Sequence, residues 1–464
     1  MKKKILALLG GTPIRKKEFR SKPHISDEDI LLVTKLMKEG RFSKFVGSPI
    51  ESNVKKLLRT KSRNLNWKGD GFSFLGGEYV RLFESEVSRI AAVDYSISVN
   101  SATSGLTTAC IALDVGPGQE VVTTPFSFTA TAASIVTANA VPRFCDIDLD
   151  TFCLSSEALE KSITPQTSCV MPVHWCGNAG ELDQIMKISR RKNLKVIEDA
   201  AQTPGSFYKK KALGTYGDIG VYSFNEPKNL MVGEGGVVVT NSANYAEKCR
   251  LIRNHGEAIH METDSDEFIV NTIGYNFRLT EILAAIGVNQ IKKIDYLYEI
   301  RKKNWIYLKR RLKEEMGEHL IPQKITHEKS YYAYTAAFRW QSKPSGIHRN
   351  TISKALIAEG IPVAQGIPRL LCDHPMFQRK LAFGKSHFPW NSDIYKGSID
   401  YSSQDFPNAR QLLDHEYLGF FQMGYPNTEE DMEDIVKAFK KIMENQKALI
   451  EYKSESSESF TLGR

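Results

Sequence analysis

The chain is 464 residues long, 41% hydrophobic and 25% charged, with a formal net charge of +8. Such a length buries a large core and divides into two or three domains, and the composition is that of an ordinary globular protein. The positive balance is modest and forms no basic stripe interleaved with aromatics, which speaks against a nucleic-acid partner.

In chain order, the basic head Lys2–Lys4 and a short apolar run lead into Gly11-Thr-Pro-Ile-Arg15, not into a small-residue cleavage site. No apolar stretch approaches the roughly 20 residues that span a bilayer, so a soluble, cytoplasmic protein without membrane contact is expected. Ser26-Asp-Glu-Asp29 reads as a capping box that opens a helix through Met37. Phe42–Gly77 lacks periodicity and reads as a long loop or insertion near the mouth of a site. From Tyr95 onward, short β-branched runs alternate with helical patterns. The predicted strands are Tyr95–Asn100, Glu120–Pro125, Arg143–Asp148, Cys169–Trp175, Lys195–Asp199, Ile219–Phe224 and Gly236–Asn241. Most are uninterrupted apolar runs, as expected of strands covered on both faces. Helices such as Ser104–Leu113 and Ala179–Lys192 between them make an α/β core with a mostly parallel, seven-stranded sheet.

After about Ile300 the pattern changes. A charged helix over Ile294–Glu315 precedes the strand-like Tyr331–Trp340 and a helix near Asn350–Glu359. A last helix is capped by Thr428-Glu-Glu-Asp431, and Met432, Ile435, Val436, Phe439, Ile442 and Met443 fall on one apolar stripe. The expected organisation is an arm over 1–24, a large domain over 25–300, a small α+β domain over 301–445 and a disordered tail over 446–464. The seven cysteines are never spaced as CxxC, which argues against a disulfide framework or zinc site and fits a reducing compartment.

The chemistry concentrates around Gly217–Gly236. Lys228 lies between a strand-like run and the turn Gly233-Glu-Gly-Gly236, and Asp199 ends the apolar run Lys195-Val-Ile-Glu-Asp199. A lysine amine forms a Schiff base with an aldehyde, and a carboxylate keeps a pyridinium nitrogen protonated; together they point to pyridoxal 5'-phosphate (PLP). Taken singly, each residue has a blander reading: a solvated lysine, and a helix cap or salt-bridge aspartate. The run Asn100-Ser-Ala-Thr103-Ser104-Gly opens a helix, whose free amides and hydroxyls suit a phosphate, with Ser223 as a further hydroxyl. Phe128, just after a strand, is placed to stack on the pyridine ring. Neither GxGxxG, the Walker pattern nor GxSxG occurs, and His174-Trp-Cys176 lacks a partner pair for a metal.

These motifs, in this order, resemble the DegT/StrS family of PLP-dependent sugar aminotransferases, of the aspartate aminotransferase fold (fold type I). The resemblance runs from about Pro23 to Met443 and includes Val99-Asn-Ser-Ala-Thr-Ser-Gly-Leu106, Ile197-Glu-Asp-Ala-Ala-Gln202, Gly217-Asp-Ile-Gly220, Gly233-Glu-Gly-Gly236 and Gly274-Tyr-Asn-Phe-Arg-Leu-Thr280. It implies that Lys228 is the Schiff-base lysine, that Asp199 partners the pyridine nitrogen and that Gln202 bonds the ring oxygen. Thr103, Ser104 and Ser223 would hold the phosphate and Phe128 would stack. Asn276, and less surely Arg278, would reach the phosphate of the other subunit, which implies a homodimer with shared sites. The implied reaction moves an amino group from glutamate or glutamine to a keto sugar, nucleotide-linked, for polysaccharide or natural-product biosynthesis. A cyclitol ketone is the alternative acceptor, and a non-catalytic PLP-binding regulator the alternative role. Two departures stand out: Ala102-Thr103 where the family has Gly-Thr, and Asn225-Glu-Pro227 where it has His-Pro-Thr or similar. Lys228 argues against the dehydratase branch, which carries histidine there. Leu9-Gly-Gly-Thr-Pro-Ile-Arg15 resembles members acting on cyclitol ketones or aminated aromatic precursors.

Overall fold

The structure is a computed structural model, and it describes residues 5–20, 23–45, 48–49, 72–73, 75–258, 269–270, 273–327, 331–402 and 405–452. Most of the expected insertion over 42–77 and most of the expected tail lie outside the described residues.

Helix α1 (Asp27–Lys38) begins with the expected capping box, Ser26 and Asp29 satisfying each other's backbone amides. Helix α2 (Glu78–Ala91) starts at Gly77, where a Cβ would lie 2.4 Å from the carboxylate of Glu281. That carboxylate accepts the amides of Tyr79 and Val80, so a side chain from a distant helix caps α2.

Seven strands follow: β1 (Tyr95–Val99), β2 (Glu120–Thr123), β3 (Val141–Phe144), β4 (Thr167–Met171), β5 (Lys195–Asp199), β6 (Ile219–Ser223) and β7 (Gly236–Thr240). They form one sheet in the order β1-β7-β6-β5-β4-β2-β3. Every pairing is parallel except those of β7, which runs antiparallel to both neighbours. Three strands, β2, β6 and β7, are buried at every residue, which is why their sequences are continuous apolar runs instead of alternating ones. Between β1 and β2 lies α3 (Ala102–Ala112), and α4 (Thr129–Thr137) lies between β2 and β3. Between β4 and β5 lies α5 (Leu182–Arg191), and β7 is followed by α6 (Ala243–Arg253). Gly105 lets α3 lie close on the sheet, since a Cβ there would meet Val221 at 2.7 Å.

Helices α7 (Glu281–Lys292) and α8 (Ile294–Met316) lead to a three-stranded antiparallel sheet of β8 (Leu320–Pro322), β9 (Ala336–Trp340) and β10 (Tyr417–Phe420). Helix α9 (Arg349–Ala358) and the final α10 (Glu429–Glu444) complete this part. Its core contains Trp305, Phe338, Trp340, Leu356 and the stripe of α10, and it takes in Leu6 from the start of the chain. All seven cysteines are free and buried. Among the described residues no helix is long and apolar enough to cross a membrane.

Candidate active site

The parallel strands β1, β2, β4, β5 and β6 turn into loops at one edge of the main sheet, and every residue singled out above except Asn276 and Arg278 lies on or just past that edge. This is the carboxyl edge, where ligands of open α/β sheets gather.

Asp199 is the last residue of β5 and is buried. Its Oδ2 accepts the Thr131 hydroxyl at 2.8 Å, and Thr131 in turn lies 2.7 Å from the Ser127 hydroxyl. The Ala201 amide donates to Oδ1 at 3.3 Å. Burial pushes the carboxyl up from its ordinary range; the Thr131 and Ala201 bonds, the Lys228 ammonium and the His174 ring all act against this. Asp199 and Lys228 are therefore close enough to feel each other's charge.

Lys228 is half-buried on the loop after β6, with Nζ 4.5 Å from the centroid of the Tyr334 ring. The loop is held by its backbone: Glu226 donates to Gly233 O at 2.8 Å and Lys228 to Asn225 O at 2.9 Å. Asn225 bonds Glu234 at 2.7 Å, so the departure from the family's pattern ties its own two ends together. Gly233, with φ of +97°, makes the turn that a residue with a Cβ would strain.

The helix start is Ser101, not Thr103 or Ser104. The Ser101 hydroxyl accepts the Ser104 amide at 3.1 Å, and the Ser104 hydroxyl donates to Asn100 Oδ1 at 2.6 Å. Thr103 is exposed, and the first amides of α3 have no partner within the helix. Gly236 begins β7 directly beneath: a Cβ there would come within 2.6 Å of Ala102 N. Ser223 is buried at the end of β6, paired with Gly236.

Phe128 caps α4 and is 71% exposed, unusual for so large an apolar side chain. Gln202 Oε1 accepts the Cys176 amide at 2.6 Å, which ties the β5 loop to the β4 loop. Asn276 is exposed; next to it the Phe277 carbonyl accepts the Asn100 amide at 2.8 Å, and Arg278 donates to Asn254 at 2.8 Å.

Three participants escaped the sequence reading. Thr131 stands three residues past Phe128 on α4, a spacing that could have placed both on the Asp199 side. His174, considered above only as a metal ligand, bonds Glu198 at 2.8 Å with both side chains buried. Glu198 also accepts the amides of Gly214 and Gly217, so this pair binds the β4 loop to the turn before β6. Tyr334 comes from across the molecule, and no local signal announces it.

A buried carboxylate, a nearby amine and an amide-rich helix start along one sheet edge form a set suited to an anionic pyridine aldehyde. Residues 60–406 match the model of the DegT/DnrJ/EryC1/StrS aminotransferase family. A putative L-glutamine:3-amino-2,3-dideoxy-scyllo-inosose aminotransferase of Streptomyces kanamyceticus is 28% identical over 96% of this chain and 99% of its own. Spore coat polysaccharide biosynthesis protein SpsC of Bacillus subtilis is 31% identical over 70% of this chain and 84% of its own. Among solved structures, an aminotransferase from Psychrobacter cryohalolentis superposes with a TM-score of 0.74 at 24% identity, covering 92% of this chain and all of that one. With the parallel sheet and the order of motifs along it, the match over three quarters of the length makes this chain a member of the DegT/DnrJ/EryC1/StrS aminotransferase family.

Proposed function

We propose that this aminotransferase uses PLP, takes its amino group from glutamate or glutamine, and delivers it to the keto carbon of a nucleotide-linked sugar. The observation that carries the reading is buried Asp199 at the end of β5, paired with Val221 of β6, whose following loop bears Lys228 at the carboxyl edge of the sheet. The residues fit the cofactor. Buried Asp199 is oriented by Thr131 and Ala201, the Phe128 ring is exposed, and Gly236, without a Cβ, lets β7 pass directly under the backbone of Ser101 and Ala102 at the helix start. When bound, PLP supplies an aldehyde and a cationic ring that takes up electron density as the substrate's Cα–H bond breaks.

The chain's own groups do the rest. Asp199 keeps a proton on the ring nitrogen by its negative charge. Lys228 Nζ would hold the cofactor's aldehyde end and, once free, would carry the proton taken from the substrate's Cα. The amides of α3 with Thr103, Ser104 and Ser223 hold the phosphate, Gln202 faces the ring oxygen, and Phe128 covers one face against water. Asn276 of the partner subunit completes the phosphate site in a homodimer.

A second reading replaces the sugar with a cyclitol ketone. It is favoured by the end-to-end similarity to the Streptomyces kanamyceticus relative, whereas SpsC supports the polysaccharide side. Absorbance spectra with each donor, followed by a panel of nucleotide-linked keto sugars and cyclitol ketones, separate the two readings. Lys228→Ala is expected to lower turnover by about 10²–10⁴-fold or more while still admitting free cofactor. A protein that takes up no PLP, or a Lys228→Ala variant that turns over normally, sinks the proposal.

A further inference from the structure

Lys228 forms no ion pair with another described residue. Its ammonium rests instead on the face of Tyr334, 4.5 Å from the ring centroid. Tyr334 does not reach this place by chance packing, because the segment before β9 is pinned residue by residue. The Tyr331 hydroxyl donates to Cys176 O at 3.0 Å, on the loop after β4. The Tyr332 carbonyl accepts Asn229 Nδ2 at 2.9 Å, from the residue next to Lys228 itself. The Ala333 carbonyl accepts Arg301 at 3.0 Å, from α8. Finally, Phe421 meets the Tyr334 ring edge-on at 5.6 Å and sets its tilt. Two backbone carbonyls, one tyrosine hydroxyl and one ring contact thus hold an aromatic face over one particular nitrogen.

We propose that Tyr334 is a positioning residue of the transamination, its ring face stabilising Lys228 Nζ in the ammonium form that the lysine adopts while it carries the substrate proton. The inference rests on the proposed role of Lys228. In that role, Nζ takes a proton from the substrate's Cα, holds it as N–H, and gives it up to the cofactor carbon or, in reverse, to Cα; no other atom changes hands. A ring quadrupole attracts the ammonium and is indifferent to the neutral amine, so its contribution appears only in the proton-bearing state. The other titratable groups that feel the Lys228 charge are Asp199 at the end of β5 and Cys176 after β4. Burial pushes the Cys176 thiol up to about 12, so it stays neutral, and Asp199 is committed to Thr131 and Ala201. Tyr334 is thus the group that meets the ammonium directly.

The test compares Tyr334→Phe, which keeps the ring face, with Tyr334→Leu, which removes it. In cofactor-free protein, acetylation of Lys228 by acetic anhydride is followed by peptide mass spectrometry. The Leu variant should acetylate about two- to fivefold faster at this residue, because free amine is no longer held back as ammonium. In cofactor-loaded protein its kcat for the donor half-reaction should fall by a similar factor with KM for the donor unchanged. The Phe variant should restore both readouts to wild-type values. Leu behaving as wild type, Phe failing as Leu does, or kcat falling with Lys228 labelling unmoved would each overturn the proposal. Failure of the wild-type protein to take up PLP would instead overturn the role of Lys228, since the labelling result stands without cofactor.

Discussion

Thr131 shows how much a single side chain decides here: its hydroxyl is the shortest bond to a carboxylate that burial alone would drive towards neutrality. Asp199 and Lys228 were legible in the sequence because strand ends and glycine turns leave local signatures. Thr131 and Tyr334 were not, because their importance lies in contacts made 68 and more residues away along the chain. His327 carries a measurable consequence of the same burial. It lies edge-on to Tyr331 and Tyr208, and burial, helped by nearby His174, pushes its ring down to about 4 from 6.5. The unfolded chain therefore binds one more proton than the folded one between these values. Stability from this residue is complete above pH 6.5 and is lost as pH falls towards 4, by about 3 kcal/mol over the window. Chemical denaturation at a series of pH values should show that slope in the wild type and a shallower one in His327→Gln. Parallel curves would mean that His327 titrates alike in both states.

At the level of elements, each expected strand of the main sheet overlaps an observed one, and two of them overrun the observed end by four residues for a physical reason. The runs Arg143–Asp148 and Cys169–Trp175 were expected as strands, but β3 and β4 end at Phe144 and Met171. The loops that follow are buried as deeply as the strands, so hydrophobicity continues after the ladder stops; Pro172, which has no amide to donate, marks the change. Likewise β9 begins only at Ala336, because Tyr331–Tyr334 leave the sheet to pin the lysine loop. The Gly10–Arg15 motif, expected to bear on substrate choice, has a packing explanation. Glu359, fully buried, accepts the amides of Ala7 and Ile14 and the Lys441 ammonium, at 2.8 to 2.9 Å. Lys441 also reaches the Thr12 carbonyl, and Arg15 pairs with Asp431 and Asp434 of α10. Gly11 is obligatory, since a Cβ would sit 2.0 Å from the Ile5 carbonyl. The arm is thus a clasp on the second core. Glu359→Gln should leave Lys441 buried without its counter-charge and cost about 3 kcal/mol. The denaturation midpoint read through Trp305 and Trp340, which sit in that core, should fall accordingly. An unchanged midpoint would show that the arm contributes little.

On the scale of the whole molecule, the two sheets are joined by shared packing. Phe126 and Trp175 from the main-sheet loops meet edge-on at 5.0 Å, and Tyr417 of β10 joins the same cluster while its hydroxyl lies 3.3 Å from Cys176 Sγ. The loops after β2 and β4 are thus packed onto the second sheet, while Phe128 and Asn276 are exposed, and on the outer face of α1 Ile30, Leu31 and Met37 are 56%, 69% and 60% exposed. Large apolar side chains bared on one helix favour cover by a second copy, which fits the proposed homodimer. Sharing of sites makes a sharp prediction. Lys228→Ala and Asn276→Ala homodimers should each be impaired. If Asn276 serves the partner's phosphate, then in a mixed dimer one site pairs an intact Lys228 with an intact Asn276, and the other site carries both defects. Unfolding, mixing and refolding equal amounts should recover about a quarter of wild-type activity, because half the dimers are mixed and each has one working site. If Asn276 serves its own chain, beside the Asn100 amide that Phe277 already binds, every site keeps one defect and mixing recovers nothing.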